Sequence, residues 1–171
     1  MPISEPVLYV MIKPSPELHA PLCHCRAKHR LDAHYPPERW HCTMLKLGLA
    51  RNWAPHQLDR LRAELGALYF DPFDVMFDTI DGRALRGRKG MPAPAAFHRA
   101  LRRVALRCGV ELPVHNFWLH LSLAYKGMGV PRREIDPIGW RVEAFQLILS
   151  DHGHQVLGHW PLVQRQYALA L

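Results

Sequence analysis

Long apolar runs are missing from this sequence: none approaches the roughly 18 residues that a bilayer-spanning helix needs, which excludes a helical membrane span. Cysteine is scarce. Its four copies (Cys23, Cys25, Cys42 and Cys108) show no disulfide framework and read as reduced thiols. Lysine occurs only five times, so most of the 22 basic residues are arginine, and the net charge of +7 is carried on planar forks suited to phosphate. Serine and threonine together number six, against 12 histidines. The N-terminal Met1-Pro2-Ile3-Ser4-Glu5-Pro6 lacks a basic stretch followed by an apolar one, so no secretory signal is read and the expected compartment is the cytoplasm.

What is there is the composition of a folded domain, 49% hydrophobic and 22% charged over 171 residues. The expectation is a single domain over residues 1–171 with two lobes. Val7–Ile12 is β-rich and ends at the turn signal Lys13-Pro14-Ser15-Pro16. A helix is expected over about 17–33 and a strand over 40–49. Leu58, Leu61, Leu65 and Leu68 then recur at helical spacing after Pro55. Phe73, Val75 and Phe77 alternate as in a strand. The stretch from Asp81 to Pro92 reads as a mobile basic loop. Phe97, Leu101, Val104, Ala105 and Cys108 share a helical face that Gly109 closes. Further strands are expected over 115–125, 140–149 and 160–169, the last three strands pairing antiparallel through short connections. The class is α+β.

Two segments echo each other. Arg39-Trp40-His41-Cys42-Thr43-Met44 and Phe117-Trp118-Leu119-His120-Leu121-Ser122 each carry His-x-Thr/Ser on an expected strand. With so few hydroxyl residues, about 0.4 such matches are expected by chance, and two about one time in fifteen. Residues i and i+2 of a strand project from one face, so each segment presents an imidazole beside a hydroxyl. Such a pair of strands suits phosphodiester cleavage. One imidazole takes a proton from the nucleophile, the other gives one to the leaving oxygen, and the hydroxyls hold the non-bridging oxygens. Asp and Glu are absent from the matching faces, so no metal is expected.

On these residues the chain resembles the 2H phosphoesterases, and within them the 2′-5′ RNA ligase or RNA 2′,3′-cyclic phosphodiesterase branch. The likeness extends to Leu8-Tyr9-Val10, the strand end Leu47-Gly48, and the closing Leu147–Ser150 and Gly158-His159-Trp160-Pro161-Leu162 stretches. Leu119 and Tyr125 depart from it, where many members carry Pro and Arg. The resemblance implies a bilobal fold of two antiparallel sheets with pseudo-twofold symmetry, helices outside and a central cleft. It implies hydrolysis of 2′,3′-cyclic phosphates to 2′-phosphates, with weak reverse ligation in some members. It makes His41 the general acid and His120 the general base; Thr43, Ser122 and Tyr9 are expected, from their own chemistry, to bind substrate. No cofactor is implied. The expected partner is RNA or a nucleotide with a cyclic phosphate end, met by a monomeric chain.

Other features carry weaker signals. His19, Cys23, His24, Cys25, His29 and His34 do not share a helical face and are read as solvated rather than as a zinc site. His152, His154 and His159 fall near a turn and are expected at the surface. Arg83, Arg86, Arg88 and Lys89 form either an RNA-contacting arm or a solvated loop. Tyr9 is either a base-stacking group or a core aromatic. Trp40 and Trp118 are expected in the core, and Cys42 points away from His41. Two other classes stay open: a non-catalytic RNA-binding module on the same scaffold, and a 2H enzyme acting on a non-RNA cyclic phosphate such as an ADP-ribose derivative.

Overall fold

The computed structural model describes residues 5–114 and 116–163. Its elements run β1 (Val7–Ile12), α1 (His19–Lys28), β2 (Cys42–Leu49), α2 (Pro55–Gly66), β3 (Phe73–Gly82), β4 (Ala84–Gly87), α3 (Pro92–Arg107), β5 (His120–Ser122), β6 (Val130–Val142), β7 (Ala144–Ser150) and β8 (His154–Pro161). They form two four-stranded antiparallel sheets, ordered β2-β1-β7-β8 and β5-β4-β3-β6. Each sheet places a motif strand at one edge, β2 in the first and β5 in the second. These two edges contact each other, although they share no ladder. The bilobal α+β arrangement is therefore present. Among the described residues no helix is long and apolar enough to cross a membrane.

The motif strands are fixed from beneath. Cys42, Met44, Leu121 and Leu123 turn into the core, which leaves His41, Thr43, His120 and Ser122 on the open side. His98 on α3, itself buried, donates from Nδ1 to the Met44 carbonyl at 2.6 Å. Its ring also stacks on Phe117 at 4.7 Å, so one histidine of the core ties together the segments carrying both motifs. Gln57 of α2 reaches the Cys108 and Gly109 carbonyls at 3.3 Å and docks α2 on the end of α3. There Gly109 adopts φ +78°, the left-handed value that stops a helix without a Cβ clash.

Several sequence expectations are corrected. The helix expected over 17–33 spans only His19–Lys28, and Arg30 takes φ +55° soon after its end. The basic loop expected from Asp81 to Pro92 is in part β4, an inner strand paired with β3 and β5, and only Arg83 and residues 88–91 stay outside strands and helices. Its glycines suggest mobility, yet at Gly87 a Cβ would lie 2.8 Å from the Leu119 Cβ, so that glycine serves close packing. The strand expected over 140–149 is two: β6 ends at Val142 and β7 begins at Ala144. β6 carries Pro131, Pro137 and five charged residues, and it survives as a strand because it is a sheet edge with its outer side in solvent. Only β7 and β8 of the last three strands pair; β6 pairs with β3 in the other sheet. Strand β8 occupies His154–Pro161 rather than starting at Trp160, and the expected residues 164–169 lie outside the described ones, as does His115 of the fourth strand. That strand shrinks to His120–Ser122. Trp40 is core, as expected, but Trp118 is 53% exposed. Two residues from His120, Trp118 has the parity of the open face rather than of the core.

Candidate active site

The open side of the two motif strands is a cleft of about 310 Å³ lined by Tyr9, Met11, Arg39, His41, Thr43, His120, Ser122, Tyr125, Ser150 and His154. All five residues singled out from sequence (His41, His120, Thr43, Ser122 and Tyr9) thus reach one space. Among the described residues its wall contains no carboxylate. Larger hollows exist elsewhere, one beside Tyr69 and Phe73 and another between α1 and β6, but neither gathers a comparable set of polar groups.

The two histidines are held in the same way. His41 donates from Nδ1 to the Arg39 carbonyl at 2.7 Å, and His120 from Nδ1 to the Trp118 carbonyl at 3.2 Å. A carbonyl only accepts, so Nδ1 carries the hydrogen in each ring, and Nε2 is left for a ligand. The shared pattern follows from the strand: the carbonyl two residues back lies within reach of a ring on the same face. The Arg39 carbonyl also accepts from the Tyr35 hydroxyl at 2.7 Å, and the Tyr35 ring meets Tyr125 at 4.4 Å. That contact bridges the segment before His41 to the segment after Ser122.

Burial pushes His41 down to about 4, the nearby His154, Lys13 and His120 add to the fall, and only the Arg39 carbonyl opposes it. His154 is likewise lowered to about 4, by burial first and then by Lys13 and Arg39. Tyr9 is raised, by burial and by Tyr125. Cys42 is fully buried and its thiol is pushed far up, so it is no thiolate nucleophile beside His41. A first expectation follows. In an NMR titration of the free protein, His41 stays neutral far below the ordinary imidazole value of about 6.5, and bound inorganic phosphate moves its midpoint upward. An ordinary midpoint, indifferent to phosphate, would mean that the ring is not buried among cations.

Sequence reasoning misses five cleft residues, the apolar Met11 and four polar ones. Arg39 figures there only as a motif neighbour, and Ser150 only as part of the closing resemblance. Tyr125 figures only as a departure, yet it lines the cleft. His154 is expected at the surface, but it opens β8 opposite Ser150, and its ring lies 4.9 Å from His41 in an edge-on contact. The available signal is its position one short turn beyond the Leu147–Ser150 strand. The basic residues of the expected arm are partly engaged. Arg88 pairs with Asp78 at 3.0 Å, Arg83 donates to the Gly127 carbonyl, and Arg86 lies over the Trp118 ring at 3.7 Å. Among the described residues no group of His, Cys, Asp or Glu is arranged to hold a metal ion, the cysteine–histidine cluster of α1 included.

No family model matches the chain, and no curated protein matches it by sequence. Solved structures do. LigT of E. coli in complex with 3′-AMP aligns over 94% of this chain and 100% of its own, with TM-score 0.70 and 21% identity. A structure described as a phosphoesterase aligns over the same shares, with TM-score 0.69 and 20% identity. TT0787 of Thermus thermophilus aligns over 91% of this chain and 97% of its own, with TM-score 0.64 and 18% identity. The chain has the LigT-like fold along nearly its whole length.

Proposed function

We propose that the protein is a 2H phosphoesterase that hydrolyses 2′,3′-cyclic phosphates at RNA or nucleotide ends to 2′-phosphates without a metal. The observation that carries this reading is the convergence of His41, Thr43, His120 and Ser122 on one cleft, with both rings held by backbone carbonyls through Nδ1. The LigT-like fold supports it, and LigT structures have been solved with 3′-AMP, ATP and NADP⁺.

The chemistry runs through two proton transfers. Water attacks phosphorus on the side opposite the 3′ oxygen. His120 takes the proton of the water through Nε2, and His41 gives a proton to the departing 3′ oxygen, in the assignment that the resemblance implies. The P–O3′ bond breaks as the new P–O bond forms, and the 2′-phosphate remains. His41 is neutral in the free protein, so it acquires its proton together with the substrate, whose negative charge stabilises an imidazolium that burial otherwise disfavours. Thr43 and Ser122 donate to the non-bridging oxygens, where charge builds up. Weak reverse joining of ends follows from the same groups acting in the opposite direction.

A cleft of imidazoles, hydroxyls and an arginine, with no carboxylate, is a poor cage for a pair of divalent ions. Hydrolysis of a 2′,3′-cyclic phosphate is therefore expected to survive prolonged treatment with EDTA. Full loss on chelation, restored by a stoichiometric divalent ion, would make the motif residues ligands and overturn the mechanism.

A further inference from the structure

The two halves of the cleft are built alike but charged differently. The residue two positions before each motif histidine supplies the carbonyl that fixes its ring: Arg39 before His41, Trp118 before His120. Each histidine also has a basic neighbour on the adjacent strand side. Arg86 stands opposite His120 in the β4–β5 ladder, while Lys13 follows Ile12, whose partner Cys42 adjoins His41.

On the His120 side the charge is compensated. Arg86 lies 3.8 Å from Asp81 and rests on the Trp118 ring, although its Nε, like that of Arg39, is buried without a hydrogen-bond partner among the described residues. On the His41 side it is not. Among the described residues Lys13 donates only to the Glu38 carbonyl, at 2.9 Å. The Arg39 guanidinium, held over the Tyr35 ring at 5.7 Å, makes no ion pair among the described residues, and its Nε is buried without a partner. His154 presses on His41 with its own Nδ1 buried and unpartnered. Lys13 is held below the ordinary lysine range by burial and then by Arg39, so these groups already repel one another. Two cations, Arg39 and Lys13, beside the neutral His154 with no ion-pairing carboxylate among the described residues are costly in the free protein, and a bound anion offsets that cost. One scissile phosphodiester, gripped between His41 and His120 by Thr43 and Ser122, brings a single negative charge.

We propose that Arg39 and His154, in the field of the nearby Lys13, form a second anion subsite beside His41, which takes a non-scissile phosphate of the same substrate molecule. This rests on the reading of the centre given above and narrows its substrate class to nucleotides that carry two phosphate groups. A volume of about 310 Å³ is within the range of small-ligand sites. The guanidinium fork grips the second phosphate in two-point fashion, and Lys13, which does not line the cleft, adds its field from outside it.

Titration calorimetry with adenosine 2′,5′-bisphosphate and adenosine 2′-monophosphate, two stable product-like ligands, tests this without turnover. The wild type is expected to bind the bisphosphate about tenfold or more tightly than the monophosphate. Arg39→Gln and His154→Gln are expected to bring the ratio close to one. Arg39→Lys retains part of the preference, and Arg62→Gln, on the exposed face of α2, retains all of it. Equal affinities in the wild type, or a preference untouched by both glutamine variants, would overturn the subsite. A preference for the bisphosphate in a protein that hydrolyses no cyclic phosphate would uphold the subsite and sink the proposed reaction. Hydrolysis without any preference would do the reverse.

Discussion

Replacing either His41 or His120 by Ala is expected to lower kcat for a nucleoside 2′,3′-cyclic phosphate by about 10²–10⁴-fold, the usual worth of a positioned proton-transfer group. KM is expected to change less, because the proton moves in the transition state while the ground-state phosphate keeps its hydroxyl contacts. The double variant is expected to be far less damaged than the product of the single losses, since each imidazole is useful only when the other is present. The substitutions are tolerated structurally. Both rings sit on the open side, and the contacts that fix β2 and β5, among them His98 to the Met44 carbonyl and Phe117, do not involve them. Near-wild-type turnover in either variant would remove the mechanism.

The second large effect belongs to the hydroxyls. Thr43→Ala and Ser122→Ala are each expected to cost about 10²–10³-fold in kcat, the magnitude seen when one donor to a developing oxyanion is lost. Thr43→Ser restores the donor and is expected to recover most of the rate. Thr43→Val keeps the shape without the hydroxyl and is expected to stay slow. If Thr43→Val matched the wild type, the hydroxyl would be a packing group of β2 and the non-bridging oxygens would be held elsewhere, with Arg39 one candidate in the same wall.

How much of this was legible in the sequence differs between the site and the fold. Strand parity alone placed His41 with Thr43 and His120 with Ser122, because an edge strand packed on one side only keeps period-two alternation. It also turned Cys42 inward. The same rule puts Trp118, two residues before His120, on the open face rather than in the core where it is expected, and there it is exposed. Parity gave no warning of His154, since that residue joins the site from β8, which no local pattern connects to β2; the link is the register Ser150 to His154. Arg39 likewise lies in a short turn before β2 rather than on the strand, so its approach to the cleft depends on the Tyr35–Tyr125 contact between distant segments.

The fold was harder where composition and position disagree. Pro131, Pro137, Gly139 and the charges of Arg132, Arg133, Glu134 and Asp136 read as a loop, and only membership of a sheet edge lets them form β6. Gly87 reads as flexibility but answers a steric demand from Leu119. Helix α2 was the easier case, because Pro55 and the leucine spacing are local signals that tertiary packing only reinforces.

The central claim is tested most directly by incubating the purified protein with adenosine 2′,3′-cyclic phosphate in the presence of EDTA and following phosphorus by NMR. The account predicts that the cyclic resonance is replaced by that of adenosine 2′-phosphate alone, and that no conversion above background occurs with the His41→Ala and His120→Ala variants. Formation of the 3′-phosphate, equal conversion by the variants, or no conversion of any nucleoside 2′,3′-cyclic phosphate by the wild type would contradict it.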